Sequence, residues 1–477
     1  MGVVAVTAEE FAAVPPEVVF DRFGRGSGAG WLFDADCDRL AVGAVVTLRA
    51  PLGGTAPVDI HGRISDVRRP HSLTVTHAQP WRGRIRLRFT AAPGGTRIRL
   101  HSEIDERGLE WLMRRQGLPV RAGAAGGNRL GLLTSKSGPG SLFAAATENV
   151  ASLALEEING DGGIGGRPVD LLVADDATDA ATGVLEARRL VRSGCRTIIV
   201  MTTSATFEAV SASLADSGVL LVEPHMNEGG REERLRIRLG ERPAAQLAAA
   251  AAPLMRSAGG RRWFLAGNDY VWPRAVNAAA RAVLPAHGAT LVGERYAPLG
   301  TQDFTPLVEA VAASGADVVL NTFVGADGAA FERQCHAMGL RETALSLGPA
   351  MDESTLERVG AAAAPGIHGV SGYFQGLGTE RNDSLVTRYR EAFGPWAPPL
   401  STLSESVFEA IHMWSGAARR ARSTDPLRVA DEMRVGRFEL PRGTVTLDGS
   451  DLVQQRLYLA EAHGAMFDRV YPVGAAG

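Results

Sequence analysis

Two rhythms of apolar and polar positions divide the chain. The first is period two. In Trp81–Phe89, residues Trp81, Ile85, Leu87 and Phe89 share one parity, and Arg82, Arg84, Arg86 and Arg88 share the other. A strand with one buried face produces that alternation. Pro93, Gly94 and Gly95 then turn the chain, and Thr96–Leu100 repeats the pattern with Arg97 and Arg99 outward. Gly43–Ala50, Arg63–Val67 and Ser72–His77 read as further strands. Pro15 and Pro16 open a short helix over Glu17–Phe23, and a helix near Leu109–Arg115 is the candidate to cover the apolar face.

From Arg129 the rhythm changes to short, nearly continuous apolar runs between helical stretches. Leu130–Leu133, Val169–Ala174, Thr197–Val200 and Val219–Val222 read as strands, with helices over Gly140–Asn159, Ala180–Ser193 and Phe207–Asp216. A second such set follows, with strands at Arg262–Ala266, Thr290–Tyr296, Val318–Leu320, Ala344–Leu347 and Ile367–Val370. Strands apolar on both faces, alternating with helices, signify parallel sheets covered on both sides. Two consecutive sets imply two lobes with a cleft between them. Ligand-touching residues are expected in loops beyond the strand C-termini, where helix N-termini offer free N–H groups. The last hundred or so residues hold an amphipathic helix, Leu403–Arg420, and strands at Arg437–Leu440, Gly443–Leu447 and Gln454–Glu461.

A length of 477 residues fits two or three domains. The stretch RAGAAGG at Arg121–Gly127 has almost nothing to bury and reads as a linker. The expected division is therefore residues 1–120, a linker at 121–127, and 128–477. The part before the linker is net basic and the part after it net acidic, but the whole carries a formal charge of only -3. That balance does not suggest wholesale nucleic-acid binding. Cys37, Cys195 and Cys335 match no metal or disulfide-scaffold spacing. Lys136 is the single lysine among 50 basic residues, which nearly removes amine catalysis. The opening MGVVAVTAEEFAAV lacks the form of a secretory signal, and the alanine run Ala244–Ala252 is too short to span a bilayer. A cytoplasmic protein is the expectation. GGIGGRP at Gly162–Pro168 follows a helix and precedes a strand, the wrong order for a dinucleotide loop.

Two resemblances sharpen this reading. The first part, over roughly residues 3–120, resembles the START-like (SRPBCC) family of polyketide cyclases and ligand carriers. The resemblance rests on LAVG, a strand ending in RRP, WRGRIRLRF and GGTRIRLH. It implies a small α+β helix-grip domain. The second part, over about residues 128–472, is similar to the type I periplasmic-binding-protein family, in the branch binding amides, urea and branched-chain amino acids that includes cytoplasmic amide sensors. LALEEINGDGGIGGRPVDLLVADD, FLAGNDYVWPRAVN and GADVVLNTFVG carry it. The fold class implied is α/β, two-lobed, preceded by the START-like domain.

Transferred position by position, the family pocket implies Ser135, Lys136 and Ser137 after the first strand, and Thr202, Thr203 and Ser204 after the third. Glu223, His225 and Asn227 follow the fourth. Tyr270, Trp272, Asn321, Thr322 and Phe323 face them from the second lobe. Glu223 and His225 stand where the amide sensor carries aromatic and hydroxyl groups. A buried carboxylate needs a cationic or strongly donating partner, so an amine, amidine or other N–H-rich ligand is expected, unless Lys136 or an arginine neutralises Glu223.

The function expected is binding of an amide, amine, urea-like compound or amino acid, with ligand-stabilised lobe closure serving sensing or regulation. A homo-oligomer or a regulatory protein partner is compatible; direct contact with nucleic acid or membrane is not expected, nor is a metal or cofactor. The alternative is a biosynthetic enzyme or cyclase acting through the START-like cavity, with His61, His71, His77 and His101 as titratable candidates, or through the interlobe cleft.

Overall fold

The computed structural model describes residues 4–24, 34–37, 39–50, 58–79, 81–115, 128–447, 449 and 452–474. The proposed linker Arg121–Gly127 lies outside the described residues. The chain forms two compact units. The first is Met1–Ala125 with Lys136–Ala145 and Phe393–Ala397; the second is Gly126–Ser135, Ala146–Ala392 and Pro398–Gly477. The first unit thus includes two segments from later in the chain, which a division at residue 120 does not anticipate.

The first unit is mostly strands. In chain order it contains β1 (Val4–Ala12), α1 (Pro16–Arg22), β2 (Asp34–Cys37), β3 (Val45–Ala50), β4 (Val58–Arg68), β5 (Ser72–Gln79), β6 (Gly83–Ala92), β7 (Gly95–Ile104) and α2 (Glu106–Arg115). The strands make one antiparallel sheet in the order β1-β7-β6-β5-β4-β3-β2. Ile85, Leu87 and Phe89 of β6 face the core with Leu73, Val75, Phe20 and Trp111, as the alternation predicts. Of the six outward arginines, Arg97 and Arg99 pair with Glu9 on the same sheet, and the Arg82 guanidinium stacks over the Phe393 ring at 4.3 Å. Gln79 secures the segment after β8: its amide donates to the carbonyls of Lys136 (3.2 Å) and Ser141, and its Oε1 accepts from Ala145 N (3.2 Å).

The second unit begins with β8 (Asn128–Thr134), α3 (Ala144–Gly160), β9 (Val169–Asp175), α4 (Ala180–Arg192), β10 (Thr197–Met201), α5 (Ser204–Ser213), β11 (Leu220–Glu223) and β12 (Arg236–Arg238). These strands form a parallel sheet in the order β12-β11-β10-β8-β9. The second lobe contains α6 (Pro243–Ala258), β13 (Arg262–Asn268), α7 (Val271–Ala286), β14 (Thr290–Ala297), α8 (Thr305–Ser314), β15 (Val318–Thr322), α9 (Gly325–Ala337), β16 (Leu345–Gly348), α10 (Glu353–Val359) and β17 (Ile367–Ser371). Next come α11 (Glu380–Phe393), α12 (Thr402–Ala421), α13 (Pro426–Val435) and the hairpin β18 (Arg437–Leu440) with β19 (Gly443–Thr446). The chain then returns through β20 (Leu457–His463) and β21 (Met466–Val473) to complete a sheet ordered β14-β13-β15-β16-β17-β20-β21. The alanine run Ala244–Ala252 lies in α6, and no helix among the described residues is long and apolar enough to cross a membrane.

Three passages connect the lobes: β12 to α6, β17 to α11, and β19 to β20. One buried cluster ties all three. Glu241 of the first passage accepts hydrogen bonds from Gly372 N and from Ser371 Oγ (3.2 Å), at the second. Arg442, in the turn between β18 and β19, reaches Glu241 (3.5 Å) and donates to Gln455 Oε1 (3.0 Å) of the third. It also pairs with Glu405 (2.8 Å) and Glu409 (2.6 Å) of α12. Burial opposes the arginine's charge, but the Glu409, Glu405 and Glu241 carboxylates reverse the effect and raise its pKa.

Candidate functional site

Among the parallel strands of each lobe's sheet the order reverses beside the first strand of the set, at β8/β10 and at β13/β15, while β20 and β21 join the second sheet antiparallel. Loops leaving the C-terminal ends of such strands diverge and leave a crevice. In the first lobe these ends carry Ser135 and Met201–Ser204. Thr203 caps α5, accepting from Thr206 N at 3.4 Å, which satisfies one free helix-terminal N–H. Ser204 Oγ donates to Glu228 Oε1 at 2.9 Å, and the Thr202 carbonyl accepts from His225 Nε2 at 2.9 Å.

The loop after β11 sorts its polar residues by role. Glu223 turns toward the sheet edge, where Arg238 of β12 approaches its carboxylate at 3.5 Å; both are buried. Burial pushes the Glu223 carboxyl up to about 8, against the pull of Arg238. Arg238 donates instead to Glu208 at 2.9 Å and only approaches Glu223, which burial holds toward the neutral acid. Asn227 is also used internally: its amide donates to the carbonyls of His225 (2.9 Å) and Leu239 (2.7 Å), while its Oδ1 accepts from Gly229 N (3.1 Å). It thereby shapes the turn presenting His225 and Glu228. Gly240 sits against that turn at φ +86°, and a Cβ there would lie 2.5 Å from the His225 carbonyl oxygen, so a side chain is excluded.

His225 is only 9% exposed. Its Nε2–H points at the Thr202 carbonyl, which sets the tautomer. Its Nδ1 is consequently an acceptor, buried and without a partner. Burial lowers its pKa and favours the neutral ring, while the Glu228 carboxylate is among the groups acting in the other direction.

From the second lobe, Tyr270 stands at the start of α7. Burial, then the charges of Glu228 and Asp327, push its hydroxyl pKa upward. The two lobes meet here where α5 and α7 touch. Trp272 is buried with its indole N–H unpartnered. Asp269 pairs with Arg274 at 2.6 Å, and the guanidinium lies 4.4 Å from the Tyr296 ring.

The remaining candidates are engaged elsewhere. Asn321 donates to Glu332 (2.7 Å), and Thr322 donates to the Ala266 carbonyl (3.1 Å). Phe323 packs against Phe304 and Phe331 with centroids 4.9 and 5.0 Å away, inside the second-lobe core. Ser135 belongs to the second unit and bonds to Asp176, whereas Lys136 and Ser137 belong to the first. The structure thus brings Thr202, Thr203, Ser204, His225 and Glu228 together on the first lobe, with Tyr270 at the start of α7, which α5 touches. Sequence reasoning missed Glu228: it assigned the carboxylate role to the acid ending β11, and only the turn held by Asn227 brings the later acid into position.

Among the histidines of the first unit, His77 is buried, with Nδ1 2.9 Å from the Trp81 carbonyl and its pKa lowered to about 4 by burial. Gly83 leaves it just enough room, since a Cβ there would be 2.9 Å from Nε2. His61 lies 3.1 Å from both Thr47 Oγ1 and Ser141 Oγ. No group of three metal-ligating side chains occurs among the described residues. Burial raises the Cys195 thiol to about 11 and the Cys335 thiol to about 12, consistent with packing rather than nucleophilic chemistry.

Comparison with known proteins follows this geometry. The Leu/Ile/Val-binding protein BraC3 of Rhizobium johnstonii is 28% identical over 240 residues, covering 50% of this chain and 65% of its own length. The Leu/Ile/Val-binding protein homolog 3 of Brucella melitensis is 25% identical over 324 residues, covering 66% of this chain and 86% of its own. The branched-chain amino acid transporter substrate binding protein LivJ of Streptococcus pneumoniae, solved with isoleucine, has a TM-score of 0.67 at 17% identity, covering 73% of this chain and 99% of that one. A solute binding protein of an ABC transporter from R. palustris, solved with benzoate, has a TM-score of 0.63 at 20% identity, covering 74% and 98%.

These findings overturn the cytoplasmic expectation and point to a secreted or periplasmic protein. The expectation rested on opening residues that form β1, so their composition reflects sheet pairing and says nothing about export. Residues 128–465 match the family model described as Periplasmic binding protein, and the chain belongs to that family.

Proposed function

We propose that the second unit binds a small polar, nitrogen-bearing solute between its lobes, and that the closed arrangement stabilised by binding is the state the chain signals or delivers. The observation carrying this reading is the contact of α5 with α7, which start at Ser204, beside His225 and Glu228, on one side and at Tyr270 on the other. A solute touching both sets favours closure by its difference in affinity for the closed and open states. The isoleucine and benzoate held by the structural neighbours are similarly small, with a charged polar end. Within the family, LALEEINGDGGIGGRPVDLLVADD and FLAGNDYVWPRAVN favour the branch binding amides, urea and branched-chain amino acids.

The test is thermal-shift and calorimetric screening with amides, amines and amino acids, followed by small-angle scattering. A genuine solute raises the melting temperature by mass action and contracts the second unit. A panel that produces neither change defeats the reading.

We also read the first unit as a START-like helix-grip domain. Its order, β1–α1–β2 to β7–α2 on one antiparallel sheet, supports this, as does the packing of Trp111 against the sheet core. A solved structure with α2 lifted off that face would overturn it.

A further inference from the structure

The geometry points to Glu228 as the group that selects a cationic nitrogen on the solute, with His225 Nδ1 as a neutral acceptor beside it. This inference rests on the interlobe binding reading and specifies the ligand chemistry. Three observations carry it. First, Glu223 is fully buried at the sheet edge beside Arg238, and burial favours its neutral acid, so it is not the charged group available to a ligand. Second, Glu228 accepts from the Ser204 hydroxyl at 2.9 Å but forms no ion pair with Lys or Arg among the described residues. Third, His225 Nδ1 is a buried lone pair with no partner, and the turn held by Asn227 carries Glu228 three residues further on. A buried acceptor left unmade costs free energy that a donor can recover.

An amidinium or ammonium meets all of these conditions. It offers positive charge to Glu228 and an N–H to His225, while the Tyr270 hydroxyl remains protonated and accepts or donates at the opposite wall. A carboxylate in the same position would face the Glu228 charge and the His225 lone pair, with repulsion from both. Ser204 anchoring of Glu228 at the start of α5 is also favourable without a ligand, because a helix N-terminus stabilises negative charge. The test must therefore measure ligand selectivity rather than stability.

Two isosteric series isolate charge from shape: acetamidine, acetamide and acetate; benzamidine, benzamide and benzoate. Calorimetry on the full chain is expected to rank amidine above amide above acid in at least one series, with amidine favoured by about tenfold or more. In Glu228→Gln, which preserves shape, the amidine-to-amide ratio should collapse toward one. Circular dichroism and the ligand-free melting temperature establish that the variant is folded. A carboxylate binding most tightly, or an amidine preference that survives in the variant, overturns the assignment. If neither amidine binds but an amino acid does, an affinity unchanged in Glu228→Gln overturns the assignment while interlobe binding stands, and a loss of about tenfold or more upholds it for an ammonium. If nothing in either panel binds, both readings fall.

Discussion

The second unit gathers polar groups in two places, with opposite consequences. Around Arg442, at the passages between lobes, the charge is matched within the protein: three carboxyl groups surround one guanidinium, and the backbone of Gly372 adds a donor. At the strand-end loops the polar groups are underused. His225 Nδ1 lacks a partner, and Glu228 has a hydroxyl rather than a cation. Charge paired inside the protein at one place, and Glu228 without a cation near an unpartnered His225 Nδ1 at the other, separate a group that holds the chain from one proposed to wait for a ligand. Arg442 spans segments far apart in sequence and cannot be exchanged for solvent. The strand-end groups sit where two lobes part, and a solute can complete them.

The sharpest test of this contrast is Arg442→Met. Removing the cation leaves Glu241, Glu405 and Glu409 buried together, and breaking a buried pair in this way costs about 3–5 kcal/mol. Urea unfolding monitored by circular dichroism should show that loss; a cost near zero would mean the cluster does not hold the passages.

A second effect concerns the proton balance. Burial, then the neighbouring Glu409 charge, raises the Glu405 pKa well above the ordinary carboxylate range. The folded state therefore keeps a proton that the unfolded state releases above about pH 4.5. The resulting stability is fully present below that pH and is lost as pH rises toward the folded-state pKa. Glu405→Gln should remove a decline of up to about 1.4 kcal/mol per pH unit. Glu223 and Glu353, each pushed up to about 8 by burial, leave a residual decline between about pH 4.5 and 8 in the variant. An unchanged pH profile would show that Glu405 does not carry the proton.

Smaller changes probe the other region. Thr203→Ala removes the cap of α5 and should cost about 1 kcal/mol in thermal or urea unfolding. Glu228→Gln should alter ligand-free stability by no more than about 0.5 kcal/mol, as expected for a group outside a closed charge network. If that variant destabilised the protein as much as Arg442→Met, the distinction between the two regions would collapse.

Much of the second unit was legible because its strands are apolar on both faces. Leu130–Leu133 and Thr197–Val200 announce β8 and β10 and so place Thr202–Ser204 beyond a strand end. β12 was hidden because its residues are Arg-Ile-Arg: Arg236 is buried with its guanidinium bonded to Ser211 and the Val219 carbonyl, a pairing no local pattern reveals. β1 was obscured by exposure on both faces, which leaves a mixed pattern. At the site, the family resemblance pointed to His225 and Tyr270 but did not determine that Glu223 would turn toward Arg238 or that Phe323 would enter a core. The Arg442 cluster was invisible for a different reason: its members meet only after the chain has passed between the lobes three times.

Lys136 is buried, and Gln79 binds its main-chain carbonyl. Because no other lysine exists in the chain, an acylating reagent followed by peptide mapping becomes a one-residue clock. The rate at which Lys136 acquires a label measures how often segment 136–145 lifts away from Gln79, a local opening that can be followed without introducing a mutation.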